Sequence, residues 1–242
     1  MKTIGYSLLF FTSALIADEA TEIIQKINNN IRGQNIYMKM TLKITSGKRN
    51  RTMKMENFSK GSKKSFVKTL YPSKSKGITF LSLDNQMWQY IPKIERTIKI
   101  PPSMMLQKWM GSDITNDDLV KQSSIVDDYD AIILSRKDHF VTLELTPKQE
   151  AAVVWGKIVS TVDTDTYTGV KDLYYDEDNE LVRIFEYKDV KQFGKYYLAT
   201  HWKITPTDKD NTYTEVFLED VIYDGEISDQ YFTKSALKRF SR

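Results

Sequence analysis

The chain has 242 residues, no cysteine, two histidines and a formal net charge of +3. Without cysteine there is no disulfide framework, thiol nucleophile or cysteine-based zinc site, and His139 and His201 do not form a pair at metal-ligand spacing. The small net charge conceals a split. Residues 31–110 carry 17 Lys and Arg against three acids (Glu56, Asp84 and Glu95), a balance of +14, whereas residues 111–242 carry 16 against 26, a balance of −10. A basic face of this kind raises the local concentration of anionic partners.

The N-terminus reads as an export signal. Lys2 precedes a mostly apolar run from Ile4 to Ile16, and Ala14 and Ala17 supply small residues near a cleavage point, so residues 1–17 are expected to be removed near Ala17. The run is shorter than the ~20 residues of a membrane-spanning helix. The expected location is therefore outside the cytoplasm, where no nucleic acid partner is expected. Residues 18–242 contain no Ser/Gly linker, low-complexity tract or internal repeat, and are read as a single domain acting as a monomer.

Ala20, Ile23, Ile24, Ile27 and Ile31 recur at helical spacing, predicting an amphipathic helix over 19–31 that ends at Arg32-Gly33. Ile36, Met38, Met40, Leu42 and Ile44 then alternate with polar residues, the period-2 signature of a strand with one apolar face. Met53 and Met55 repeat the pattern after the Ser46-Gly47-Lys48 turn. Further strands are expected at 64–70, 78–83, 86–91, 94–100, 130–135, 139–146, 154–163, 170–175, 181–188, 196–205 and 213–223, separated by turn signals such as Asp84-Asn85 and Asp176 to Asn179. Short helices are expected at 102–108, at 115–121 behind a Thr115/Asp118 capping box, and after the N-cap Thr233. The fold class is mainly β (α+β): a large, strongly curved antiparallel sheet with a few helices covering its hollow face.

The most informative block is 86–119. It joins an aromatic strand (Trp88, Tyr90) through Pro92 to a basic-apolar run. Pro101-Pro102 follows, then a Met-rich piece and the turn Met110-Gly111-Ser112-Asp113. All eight methionines after Met1 lie between Met38 and Met110. Flexible, polarisable thioethers adapt to ligands of varied shape. The expected apolar lining therefore comprises Met38, Met40, Leu42, Met53, Met55, Phe66, Trp88, Tyr90, Met104, Met105, Trp109 and Met110. Gly111, Ser112 and Asp113 form the lid turn, with Asp113 near Lys108 in sequence and a candidate partner for Arg96 or Lys99. No nucleophile elbow, phosphate loop or metal-ligand pattern is present. The chain is thus read as a binding protein and not an enzyme, with no cofactor and no metal.

Tyr71-Pro72, Lys76-Gly77, Phe80-Leu81, Met87-Trp88-Gln89-Tyr90-Ile91-Pro92, Lys93, Arg96 and Lys99, Met110-Gly111-Ser112-Asp113, Asp118-Leu119, Tyr231-Phe232-Thr233 and Leu237 together resemble the outer-membrane lipoprotein-sorting protein family. These are the LolA/LolB-like periplasmic carriers, here in the branch found beside resistance-nodulation-division type exporters. The chain departs from the family's pattern at Glu95, Ile114 and Asn116-Asp117. The resemblance implies an incomplete β-barrel with a small helical lid over a hydrophobic cavity, which binds acyl chains of lipoproteins or other lipids for transport towards the outer membrane. The implied partners are a membrane exporter or an outer-membrane acceptor. The alternative it leaves is an accessory subunit of such an exporter that carries no lipid.

Overall fold

The computed structural model describes residues 7–121, 125–151 and 153–242. Thirteen strands form one antiparallel sheet in the order β6-β5-β4-β3-β2-β1-β13-β12-β11-β10-β9-β8-β7. The first meander comprises β1 (Asn35–Ser46), β2 (Arg49–Lys60), β3 (Lys64–Tyr71), β4 (Thr79–Leu83), β5 (Gln86–Ile91) and β6 (Arg96–Lys99). The second comprises β7 (Tyr129–Lys137), β8 (Phe140–Pro147), β9 (Lys157–Asp163), β10 (Thr168–Tyr175), β11 (Leu181–Phe193), β12 (Tyr196–Pro206) and β13 (Thr212–Tyr223). The meanders join where β1 pairs with β13, and β6 and β7 remain as free edges, so the barrel is incomplete.

All thirteen expected strands are present, because period-2 alternation marks strands wherever one face is buried. Turn chemistry also holds: Asp84 and Asn85 take φ of 46° and 64° in the two-residue β4–β5 hairpin. Asp176 Oδ1 accepts from the backbone N–H groups of Asp178 and Glu180, so this acidic cluster closes the β10–β11 turn.

Four α-helices lie among the described residues. α1 (Ser7–Arg32) begins before the expected 19–31 and runs without a break through Ala17; residues 1–6 of the expected signal lie outside the described residues. Gly33, at φ +55°, ends it, and a Cβ there would stand 2.7 Å from the Tyr223 ring. α2 (Asn116–Lys121) starts with the expected capping box: the Thr115 N–H donates to Asp118 Oδ2 at 2.7 Å, and the Asp118 N–H donates to Thr115 Oγ1 at 3.2 Å. α3 (Ile125–Asp128) leads into β7, and α4 (Lys234–Arg239) is capped by Thr233, whose Oγ1 accepts from the Ala236 N–H.

Two local expectations fail. Residues 102–108 form a single 3-10 turn, Pro102–Met104, not a helix, because Lys108 leaves to bridge Thr115. His139 lies in the β7–β8 turn and not in a strand.

Burial divides the core in two. The larger cluster fills the concave side between sheet, α1 and the segment before β7. The smaller lies on the convex side, where Phe66, Leu81, Trp88 and Tyr90 are covered by Ile227, Phe232, Ala236 and Leu237 of the C-terminal segment. Tyr231 stacks between Phe58 (4.1 Å) and Phe240 (4.4 Å) there. Gly77, at φ +80°, admits this segment: a Cβ on it would lie 2.2 Å from the Ser241 carbonyl oxygen.

Candidate functional site: a lidded apolar hollow

Because β6 and β7 are opposite edges of one sheet, the chain between them must cross its open side. Residues 100–121 and 125–128 lie on that crossing and cover the concave face. Beneath them lies a cavity of about 150 Å³, lined by Met38, Met40 and Leu42 of β1, Val67 and Phe80 of the first meander, Trp109, Ile114 and Leu119 of the lid segment, and Tyr174, Phe185 and Trp202 of the second meander. A second chamber of about 90 Å³ continues it alongside Ile24 and Ile27 of α1. Ile31, Ile125, Ile158, Tyr174 and Trp202 line both, so the two form one hollow with a constriction.

The lid segment is shaped by its own turn and fastened to the sheet from β13, β11 and β2. Ser112, fully buried, donates from Oγ to the Trp109 carbonyl at 2.7 Å and shapes the turn. Asp113 accepts at Oδ2 from Thr214 Oγ1 of β13 at 2.7 Å and pairs through Oδ1 with Lys108 at 2.5 Å. Its partners are thus Lys108 and Thr214, not Arg96 or Lys99, because those two project from edge strand β6. Arg183 of β11 donates to both carboxylate oxygens of Asp118, at 2.7 and 2.8 Å. A further bond from the same guanidinium reaches the Asp113 carbonyl at 3.3 Å.

Arg183 is buried, and its guanidinium lies 4.4–4.7 Å from the ring centroids of Trp155, Tyr174 and Phe185. Burial alone would lower its pKa, but the Asp118 charge and hydrogen bonds outweigh this and hold it above the ordinary value. A planar guanidinium suits both the bidentate pair and the aromatic stack. Arg51 of β2 donates to the Met110 carbonyl from the other side. Gly111 stands at φ +74°, where a Cβ would approach Arg51 to 2.9 Å.

The expected lining divides accordingly. Met38, Met40, Leu42 and Trp109 face the cavity. Met53 and Met55 are fully buried in the wall behind it, and Met104, Met105 and Met110 pack partly buried under the lid segment. Phe66, Trp88 and Tyr90 belong to the convex face and must be withdrawn from the lining. In β5 both faces are covered, so the aromatic stripe points outward into the C-terminal cover while Met87 points into the hollow. Sequence reasoning missed Arg183, whose place in a strand gave no sign of its burial, and the polar wall formed by Asn57, Ser59, Ser65 and Ser82.

His201, in β12, stacks on Phe217 at 4.5 Å and pairs with Glu215 at 3.0 Å. His139 lies near Asp163 and Asp165, in a group outside the hollow in which only Asp165 is exposed.

A family model described as "Uncharacterized protein" matches residues 61–239. No curated protein matches the chain. Among solved structures, a DUF1329 family protein from Desulfovibrio piger is similar with a TM-score of 0.85 and 22% identity, over 92% of this chain and 99% of that one. An outer membrane lipoprotein-sorting protein domain from Vibrio parahaemolyticus has a TM-score of 0.80 and 20% identity, over 92% and 100%. A LolA superfamily protein from Nitrosomonas europaea has a TM-score of 0.76 and 18% identity, over 90% and 98%. At these identities the likeness is one of fold.

Proposed function

The chain belongs to this family of uncharacterized proteins, and we propose that it is a periplasmic carrier that takes acyl chains of lipoproteins or other lipids into the hollow for transport towards the outer membrane. The observation that carries this reading is the hollow itself: apolar side chains line it, and the segment that closes it is held to the sheet by a few discrete polar contacts beside its apolar packing. Burying an alkyl chain contributes about 0.8 kcal/mol per methylene, so affinity needs no covalent chemistry. Release then requires separating Asp118 from Arg183 and Asp113 from Thr214, which a membrane partner can drive by competing for the lid. The resemblance in fold to a lipoprotein-sorting domain supports the same reading.

The second reading, an accessory subunit of a resistance-nodulation-division type exporter that carries no lipid, draws on edge strand β6. Its four residues are exposed, with Ile94, Ile98 and Leu106 presenting apolar surface among Lys93, Arg96 and Lys99. Native mass spectrometry of protein isolated from a periplasmic fraction separates the two. A co-purifying lipid or acylated peptide, lost on Met40→Glu, is the result expected for a carrier. An unliganded mass, with no uptake of offered lipids, favours the accessory subunit.

A further inference from the structure

Two rows of side chains run next to each other across the first meander. On the convex face Tyr37, Phe58, Phe66, Leu81 and Trp88 stand opposite one another from β1 to β5. On the concave face, one residue along, the row reads Ile36, Ser59, Ser65, Ser82 and Met87. Three hydroxyls therefore lie in line on one wall of an otherwise mostly apolar hollow. Asn57 organises two of them, donating from Nδ2 to Ser59 Oγ at 3.0 Å and accepting at Oδ1 from Ser65 Oγ at 2.9 Å. The Ser82 hydroxyl has no side-chain hydrogen bond to the protein among the described residues.

A cation lines the same hollow. Arg32 ends α1 four residues before Ile36, the first member of the concave row. Its Nε donates to Asn28 Oδ1 at 3.2 Å, and it forms no ion pair among the described residues. Burial lowers its pKa to about 10, with no carboxylate offsetting the loss of solvent. The acids that line the cavity, Asp117 and Asp118, belong to the lid helix α2, and Asp118 is bound to Arg183. A basic residue in the last turn of a helix is favoured by the helix dipole. That accounts for a cation on α1, but not for one that faces a mostly apolar cavity with no ion pair of its own.

We propose that this wall is a headgroup site, in which Arg32 binds the single anionic head of an amphiphile, a carboxylate or a phosphate monoester, while its tail lies along Met38 and Met40 beneath Trp109. The hydroxyls of Ser59 and Ser82 supply donors to the remaining oxygens, while Ser65 keeps Asn57 turned towards Ser59. The site therefore selects anionic lipids over uncharged acyl chains. This inference rests on the carrier reading above, since it assigns a head to the chain that the hollow takes. Charge-assisted bonds are roughly twice as strong as neutral ones, enough for a preference of about tenfold.

The test is displacement of the uncharged dye Nile red from the natural chain by dodecanoate, dodecyl phosphate and dodecanol, which share a tail and differ in the head. The expected result is that one or both anions displace the dye at about tenfold lower concentration than the alcohol, and the better of the two identifies the head. In Arg32→Gln that gap closes while the alcohol is unchanged, and Ser82→Ala narrows it by a smaller factor. Equal displacement by all three from the natural chain overturns the headgroup site and leaves the carrier reading intact. Failure of the dye and of every amphiphile to bind overturns the carrier reading, and this inference with it. Should Arg32→Gln not fold, the ranking on the natural chain decides alone.

Discussion

Arg183 reaches the lid from β11 with its charge on Asp118 and its face against three aromatic rings, so each half of the side chain has a separate partner. Removing one member of a buried pair leaves the other charge uncompensated, at a cost of about 3–5 kcal/mol. Asp118→Asn is expected to destabilise the fold by on the order of 3 kcal/mol in urea unfolding. Hydrogen exchange should quicken first at the amides of α2. Replacing both partners together, Asp118→Leu with Arg183→Met, should cost much less, since no buried charge is left behind. A second buried carboxylate behaves differently. Asp172, in β10, accepts from the Tyr187 hydroxyl at 2.7 Å, while nothing completes a hydrogen bond to its Oδ1. Burial pushes its pKa up, against the pull of Ser160, Tyr187 and the Arg183 charge. A carboxyl with a raised folded pKa binds protons in the native state where the unfolded chain does not, so stability falls as pH rises through the raised value. Asp172→Asn is therefore expected to raise the melting temperature at neutral pH, with the gain shrinking as the pH falls towards the ordinary carboxyl range. A gain independent of pH would assign the effect to packing.

At the scale of elements, the sequence announces strands clearly and their covers poorly. β1 alternates without interruption and could be read directly, face included, because Lys39 and Lys43 mark the wet side. In β4 and β5 no such mark exists, and in β3 the two lysines that would mark the wet side, Lys64 and Lys68, share a face with the fully buried Phe66. Phe66 and Val67 are both buried, as are Met87 and Trp88, so period 2 gives the strand but not which side is the cavity. The deciding element is α4 with its preceding turn, far away in sequence, which turns the convex face into a second core. The helix expected over 102–108 fails for a related reason. Its spacing is helical, but the Lys108–Thr115 bridge draws the chain into an extended path that the local pattern does not encode. α2 was legible because the Thr115/Asp118 capping box is local chemistry. If α4 serves only as the convex cover, Leu237→Ala should cost about 2–5 kcal/mol of stability. The affinity of the folded fraction for Nile red should stay unchanged. A variant with intact stability and altered dye binding would contradict the separation of the two cores.

The topology of the whole molecule explains why one short block of sequence says so much. Two meanders pair through their innermost strands, β1 and β13, which leaves the outermost, β6 and β7, on opposite lips of the curved sheet. The chain between them therefore closes the hollow, and its contacts to β2, β11 and β13 fasten that closure to both halves of the barrel. The central claim is that an apolar chain occupies this space, with the methionines of β1 as its floor. The most direct measurement is NMR of the methionine methyl groups during titration with a long-chain amphiphile. The account predicts the largest shifts at Met38, Met40 and Met87, which line the hollow, and smaller ones at Met53, which is enclosed in the wall. Shifts confined to Met104 and Met105, or no shifts at saturating amphiphile, would contradict it.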